Sequence, residues 1–351
     1  MITWIRFRNY LIGIFLLLIL IAEACESDLN LDIPDSSPIL TVNCILKDDE
    51  SVSMAVTESL PNKISSDTIT IVRNASVILT NDDGLSENLI YREQKFNNRI
   101  TGDYISLNGY KPISENTYQI RIEVLGFEII TSATVIPKSI PILSVDTNTT
   151  YINNGGNIYK VLECTVRFED PIQTGNYYKL SIDRYGLTDH YVSYPFGRTT
   201  ETVKYQAYFF CPNNNAVYMR INHSTPGSIS LENEDKEIWV NEIFIADDAC
   251  NGSIYELKIY VWPAWFNDRA YPPAGEKITN RTAYIRLYSI NEEYYKYANS
   301  YFNQLIKRND IFSEPVQVYS NISNGTGIFS GASASIDSTI VIPVHYNPPI
   351  Y

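Results

Sequence analysis

From Thr117 to Val124 apolar and polar residues alternate without a break, with Tyr118, Ile120, Ile122 and Val124 on one side and Gln119, Arg121 and Glu123 on the other. Successive side chains of an extended chain point to opposite faces, so these eight residues form a strand with one face in a core and the other in water. The same pattern runs through the chain from Pro38 onward. Short stretches rich in Val, Ile, Thr and Tyr are each closed by Asn, Asp, Gly or Pro, which is the pattern of an all-β protein. Strands are predicted at Ile39 to Leu46, Ser53 to Thr57 and Ala75 to Thr80, the last running into Asn81-Asp82-Asp83-Gly84, whose Asp-Gly step favours a hairpin turn. Gly126 turns the chain into Phe127 to Val135, and further strands are predicted at Val161 to Phe168, Tyr177 to Ile182, Ile238 to Ile245, Tyr255 to Trp262, Thr282 to Tyr288 and Thr339 to Val344.

Pro137 and Pro141 interrupt this series. Proline cannot donate to a strand ladder, so the boundary between two domains is predicted here. The predicted fold is all-β, two antiparallel β-sandwich-like domains in tandem over residues 37–137 and 138–351. The second carries one amphipathic helix, from about 290 to 307. Ser289 with Glu292 three residues on reads as a capping box. Tyr294, Tyr297, Ala298, Tyr301, Phe302 and Leu305 recur at spacings of three and four, so this stripe is predicted to pack on a sheet.

The N-terminus has a different pattern. Arg6 and Arg8 precede an apolar run from Tyr10 to Ile21, and Ala22-Glu23-Ala24-Cys25 follows, which is the layout of a secretory signal peptide over residues 1–24. A run of about 12 residues is short of the roughly 20 needed to cross a bilayer core. A Cys directly after Ala at this point resembles the lipobox of bacterial lipoproteins, in which the thiol is diacylated and becomes the mature N-terminus. Each buried CH₂ of such chains contributes roughly 0.8 kcal/mol of membrane affinity. Glu26, Ser27 and Asp28 resemble the short acidic signal that sends Bacteroidetes lipoproteins to the cell surface; a plain solvated tether is the other reading. Residues 25–36 are thus an acylated Cys and its tether.

A formal net charge of −13 repels phosphate backbones and anionic headgroups, so nucleic-acid binding is not expected and attachment to a membrane falls to lipid. Export would permit disulfides among Cys44, Cys164, Cys211 and Cys250. Three pairings are open; Cys211–Cys250 is favoured, because the two flank a stretch of short apolar runs that could bring them together, and Cys44 and Cys164 fall in strand-like runs and read as buried thiols. With no CxxC pair and 3 histidines, neither a zinc site nor another cofactor is expected.

Several segments together carry a resemblance. Leu29 to Pro34, Gly102-Asp103-Tyr104, Ala133 to Pro137, Asn176-Tyr-Tyr-Lys-Leu180, Phe244-Ile-Ala-Asp-Asp248, Leu287 to Tyr297 and, most specifically, Ser320 to Gly331 are similar to the Bacteroidetes lipoprotein family catalogued as domain of unknown function 4249. The family has no assigned activity or ligand. Its members tend to be encoded beside TonB-dependent transporters, so the resemblance implies a surface subunit that accompanies an importer.

No catalytic constellation stands out. Asn324 to Gly331 is glycine-rich, but it lacks the strand-then-helix context of a phosphate loop and reads as a structural turn. Gly331-Ala-Ser333-Ala-Ser335 lacks the last glycine of a nucleophile elbow. His190 and His223 fall in polar loops, and His345 ends a β run. Asp82-Asp83 and Asp247-Asp248 read as solvated turns rather than calcium ligands. The most suggestive surface is the proline-rich loop holding Trp262, Trp265, Phe266, Arg269 and Tyr271, residue types that dominate binding hot spots. These residues either contact a partner or ligand or plug the end of the sandwich. The expected function is a non-enzymatic, surface-exposed outer-membrane lipoprotein, an accessory or cargo-capture subunit of a TonB-dependent importer. A surface hydrolase acting on glycan or peptide and a structural or adhesive envelope module are the alternatives.

Overall fold

The computed structural model describes residues 37–59, 70–96, 99–154, 157–192, 197–206, 209–210, 218–221, 242–246, 251–261, 276–277, 282–307 and 314–341. The first half builds β1 (Leu40–Lys47), β2 (Ser53–Glu58), β3 (Thr70–Ile71), β4 (Ser76–Asn81), β5 (Ser86–Phe96), β6 (Arg99–Ile105), β7 (Thr117–Glu123) and β8 (Ile130–Val135). Alternation sets their faces. Leu40, Val42, Cys44 and Leu46 of β1 point inward with Val77 and Leu79 of β4 and Tyr118, Ile120 and Ile122 of β7. Asp82-Asp83-Gly84 makes the predicted hairpin, with Gly84 at φ +92°. The early residues of β5 pair with β4 and the later ones with β6, so this strand turns the corner that wraps the ladder round the first core.

The second half holds β9 (Ile142–Asn154), β10 (Asn157–Glu169), β11 (Tyr177–Val192), β12 (Gly197–Gln206), β13 (Phe209–Phe210), β14 (Tyr218–Ile221), β15 (Glu242–Ala246), β16 (Ile254–Val261), β17 (Glu276–Lys277), β18 (Thr282–Ile290), helix α1 (Glu292–Lys307) and β19 (Thr326–Val341). A four-stranded sheet in the order β13-β16-β10-β9 lies over β11, β15 and β18 of the larger sheet. Cys164, Val166 and Phe168 of β10 and Leu257, Ile259 and Val261 of β16 meet Leu180, Ile182, Ile243, Ile245, Ile285 and Leu287 in a second core. The protein is therefore all-β with two sandwich-like cores and, among the described residues, one helix. On the other face of the large sheet, Tyr294 and Ala298 of α1 cover Phe244, Tyr288, Ile290 and Ala332, as the helical stripe predicts.

The structure corrects four details. The final strand begins at Thr326 rather than near Thr339, and its first half runs parallel to β1, with Thr41 to Lys47 opposite Thr326 to Ala332. Its second half is antiparallel to β18, so one strand belongs to the ladders of both cores. The strand expected from Phe127 starts at Ile130, because residues 124–129 form the turn, with Gly126 at φ +90°. His190 lies in β11 opposite Thr199 instead of in a loop. Lastly, Ser289 belongs to β18 and the helix cap is Asn291, whose Oδ1 accepts the Tyr294 amide at 3.2 Å. An Asn directly before the first helical residue meets that amide as Ser289, two places earlier, cannot.

Candidate functional site

The Ser320 to Gly331 segment shows why its glycines are there. A Cβ on Gly327, at φ +108°, would collide with the Val42 carbonyl, and one on Gly331 would lie 2.7 Å from the Val135 oxygen. Asn321 acts as a surrogate strand, its side chain donating to the Phe329 carbonyl at 2.7 Å and accepting the Phe329 amide at 3.0 Å. The segment docks β19 onto the first sandwich and is no anion cradle. Gly102-Asp103-Tyr104 is structural too. Gly102 leaves room for the Tyr91 ring, Asp103 accepts the Ser53 hydroxyl at 2.8 Å, and the buried Tyr104 hydroxyl donates to Val72 O at 2.9 Å and accepts the Ala75 amide at 2.8 Å.

A cleft of about 990 Å³ opens where three segments distant in sequence meet: residues 135–143, residues 169–176 and the junction of β18 with α1, Ser289 to Glu292. The first wall carries Pro137 and Pro141 and is pinned at both ends. Ile136 exchanges backbone bonds with Glu115 and Asn116 at 2.8 and 3.1 Å, and the Ile142 amide donates to Ser335 Oγ at 3.0 Å. Asp170, 1% exposed, organises the second wall; it accepts the Tyr178 hydroxyl and, at 3.3 Å, the Gly252 amide. Asn291 fixes the third. Its Nδ2 donates to Thr134 Oγ1 at 2.8 Å, and its Oδ1 accepts the Ser330 hydroxyl as well as the helix amide.

The rim mixes exposed apolar side chains, Ile172, Leu143 and Val135, with Lys138, Glu169 and Glu292. In the lining, Ser289 keeps a buried hydroxyl that bonds to no other group, and so does Ser333, its cross-strand partner. Such a groove suits an elongated, partly apolar ligand held by a few polar contacts.

The helix-side face of the large sheet carries buried charges. Lys179 pairs with Glu242 at 2.6 Å, and Arg286 pairs with Asp183 at 2.6 Å and Asp49 at 3.0 Å. Lys179 lies 5.2 and 5.7 Å from the ring centres of Tyr288 and Tyr294, whose hydroxyls burial pushes far above the usual tyrosine range. The Asn176–Leu180, Phe244–Asp248 and Leu287–Tyr297 segments converge here through Lys179, Phe244, Tyr288 and Tyr294. Lys179 also reaches α1, its ammonium 3.4 Å from the Tyr294 hydroxyl, while Arg286 ties β11 to Asp49 in the turn after β1. Among the described residues no group of three or more His, Cys, Asp and Glu is placed to hold a metal.

Cys44 and Cys164 are buried free thiols, as predicted. Burial pushes both up to about 12, with Asp103 adding to the shift at Cys44 and Glu163 at Cys164. Asp82 accepts the Thr117 amide at 3.3 Å and Asp83 accepts Asn116, so this acidic pair is spent on its turn. Ser333 sits inside β19 and is no nucleophile elbow. Cys25, Glu26, Ser27, Asp28, Cys211, Cys250, Trp262, Trp265, Phe266, Arg269 and Tyr271 lie outside the described residues, as do Asp247, Asp248, His223 and His345. Sequence reasoning missed the cleft. Its nearest signals are the two prolines of the first wall and the Asp170-Pro171 and Gly175 breaks of the second, which read only as strand ends.

A protein-family model described as a domain of unknown function (DUF4249) matches residues 26–337. No curated protein and no solved structure matches the chain.

Proposed function

The chain belongs to the DUF4249 family, and we propose that it is a surface-exposed outer-membrane lipoprotein that serves a TonB-dependent importer as a cargo-capture or accessory subunit. One observation carries the reading. The Ala24-Cys25 step closes a leader-like apolar run, and the family domain starts at residue 26, directly after that thiol. Acylation there leaves the whole folded body outside the bilayer. The short acidic segment Glu26-Ser27-Asp28 supports display on the cell surface, and the pairing with an importer rests on the family context.

The orientation of the first sandwich supports a capture role for the cleft. The chain enters the body at Ile39, beside the start of β1, and β1 and β19 run together away from that end. Val135, Ser289 and Asn291 of the cleft lie beside the far end of β1, where Ala332 faces Lys47 on one side and Ile290 on the other. The cleft is therefore held off the anchored end by the length of a strand of eight residues, roughly 25 Å. Purification from membranes in mild detergent should recover a large β-barrel transporter with the lipoprotein. Repeated recovery of the lipoprotein alone, under conditions that keep other outer-membrane complexes intact, would refute the importer assignment.

A further inference from the structure

Polar groups that the fold leaves unmatched meet in the cleft. Ser289 follows Ile285 and Leu287 on the face of β18 that looks into the second core, and it lies between Tyr178 of β11 and Ser333 of β19. It is 5% exposed and lines the cleft, and neither its hydroxyl nor that of Ser333 has a partner in the protein. Buried hydroxyls are normally bonded, so an unmatched one on the floor of a cleft marks a place for a ligand atom.

The first wall adds backbone to this side chain. Residues 136–141 belong to no strand, and among the described residues Lys138, Ser139 and Ile140 hydrogen-bond to no other group. Pro137 and Pro141 close the strip at both ends, since neither has an amide with which to extend a ladder. The rest of the lining narrows the ligand. Glu169, Asp170 and Glu292 outnumber Lys138, which disfavours a fatty acid or a phosphate. A sugar ring lies best on an open aromatic face, and neither lining tyrosine offers one: Tyr177 donates to Glu292 at 3.4 Å and packs on Tyr295 at 4.8 Å, while Tyr178 is 1% exposed and packs on Phe168. The apolar side chains that the walls do present are aliphatic, Ile140, Leu143 and Ile172. Aliphatic contacts beside unpaired backbone suit an extended peptide, whose own amides must find partners when they leave water. An amide brings one donor and one acceptor, and a serine hydroxyl meets either.

We propose that the cleft binds a short extended peptide with aliphatic side chains and no net negative charge. The peptide backbone pairs with Lys138 to Ile140, and one of its amides reaches Ser289 Oγ. The inference rests on the capture role proposed above and names the class of cargo.

The test uses the mature lipidated protein in a polyoxyethylene detergent, with detergent alone as the blank. Calorimetric titration compares a capped heptapeptide of alternating leucine and serine around one lysine, the same peptide N-methylated at alternate residues, maltoheptaose and laurate. The plain peptide should bind, and the N-methylated one should bind at least roughly five-fold more weakly, the worth of one backbone bond. Ser289→Ala loses no partner within the fold, so its thermal midpoint should equal or exceed the parent's while its affinity for the plain peptide falls roughly five-fold. Equal affinity for the two peptides, or an unchanged affinity in Ser289→Ala, overturns the proposal. Binding of maltoheptaose or laurate in place of the peptide overturns the cargo class and leaves the capture role standing. Binding of none of the four overturns the class, and with it the use of this cleft for capture, whether or not an importer co-purifies.

Discussion

Removing one charge of the Lys179–Glu242 pair should be far more damaging than removing both. The two groups are 2.6 Å apart and their side chains are 6% and 7% exposed. At an effective dielectric constant of about 20 they attract by roughly 6 kcal/mol. Desolvating them costs several kcal/mol per ion, so the intact pair lies near break-even against an apolar pair of similar volume. Glu242→Gln leaves the ammonium with a neutral amide, the Tyr294 hydroxyl at 3.4 Å and two ring faces. Cation–π contacts contribute about 1–2 kcal/mol and do not replace a carboxylate. The single variant should therefore lose about 3–5 kcal/mol, while Lys179→Met with Glu242→Leu should come within about 1 kcal/mol of the parent or exceed it. In urea unfolding followed by tryptophan fluorescence, a slope of about 3 kcal/mol/M turns the single loss into a midpoint lower by roughly 1–1.7 M. A single variant that loses less than about 1 kcal/mol, or a double variant as unstable as the single, would refute the reasoning.

Gly327→Ala should cost more than about 3 kcal/mol, since its Cβ meets the Val42 carbonyl, whereas Gly84→Ala, with open space around it, should cost only the roughly 1–2 kcal/mol of a left-handed backbone; thermal unfolding compares them. Asp48 accepts the Ala334 amide at 2.8 Å, yet burial raises its pKa, so the folded state holds the proton more tightly and stability falls as pH rises through the window between the unfolded and the higher folded pKa. Asp48→Asn should then be at least as stable as the parent at pH 7 and indistinguishable from it at pH 3; a clear loss at pH 7 would show that the carboxylate is needed. Iodoacetamide at pH 8 should leave the Cys44 and Cys164 peptides unmodified in folded protein and modify both in urea, as peptide mass mapping would reveal. Asn291→Ala removes a helix cap and partners of Thr134 and Ser330, so it should cost about 2–3 kcal/mol and speed hydrogen exchange in the first turn of α1.

Local patterns carried much of the fold. Tyr118, Ile120 and Ile122 alternate because one face of β7 is buried, and Tyr294 and Ala298 fall on the side of α1 that meets the sheet. Pro137 and Pro141 fall within residues 136–141, which belong to no strand. What escaped was non-local. Gly325, Gly327 and Gly331 read as a structural turn, because small residues carry no periodic signal; Gly327 and Gly331 are small so that β19 can approach Val42 and Val135, residues about 200 or more positions earlier in the chain. The same holds for the cleft, whose walls come from three segments that no spacing rule connects. Cap choice was missed for a local reason: Ser289 satisfied the capping-box spacing, but its backbone is committed to pairing with Ser333, and Asn291 is the first residue free to turn.

The orientation of the body and the role of the cleft depend on Cys25 being the lipid-bearing N-terminus. Intact mass analysis of the protein extracted from outer membranes reads this directly. A chain beginning at Cys25 and heavier than its sequence by a glyceryl group with two or three acyl chains is the expected result. A chain that keeps residues 1–24, or begins elsewhere with an unmodified Cys25, would contradict it.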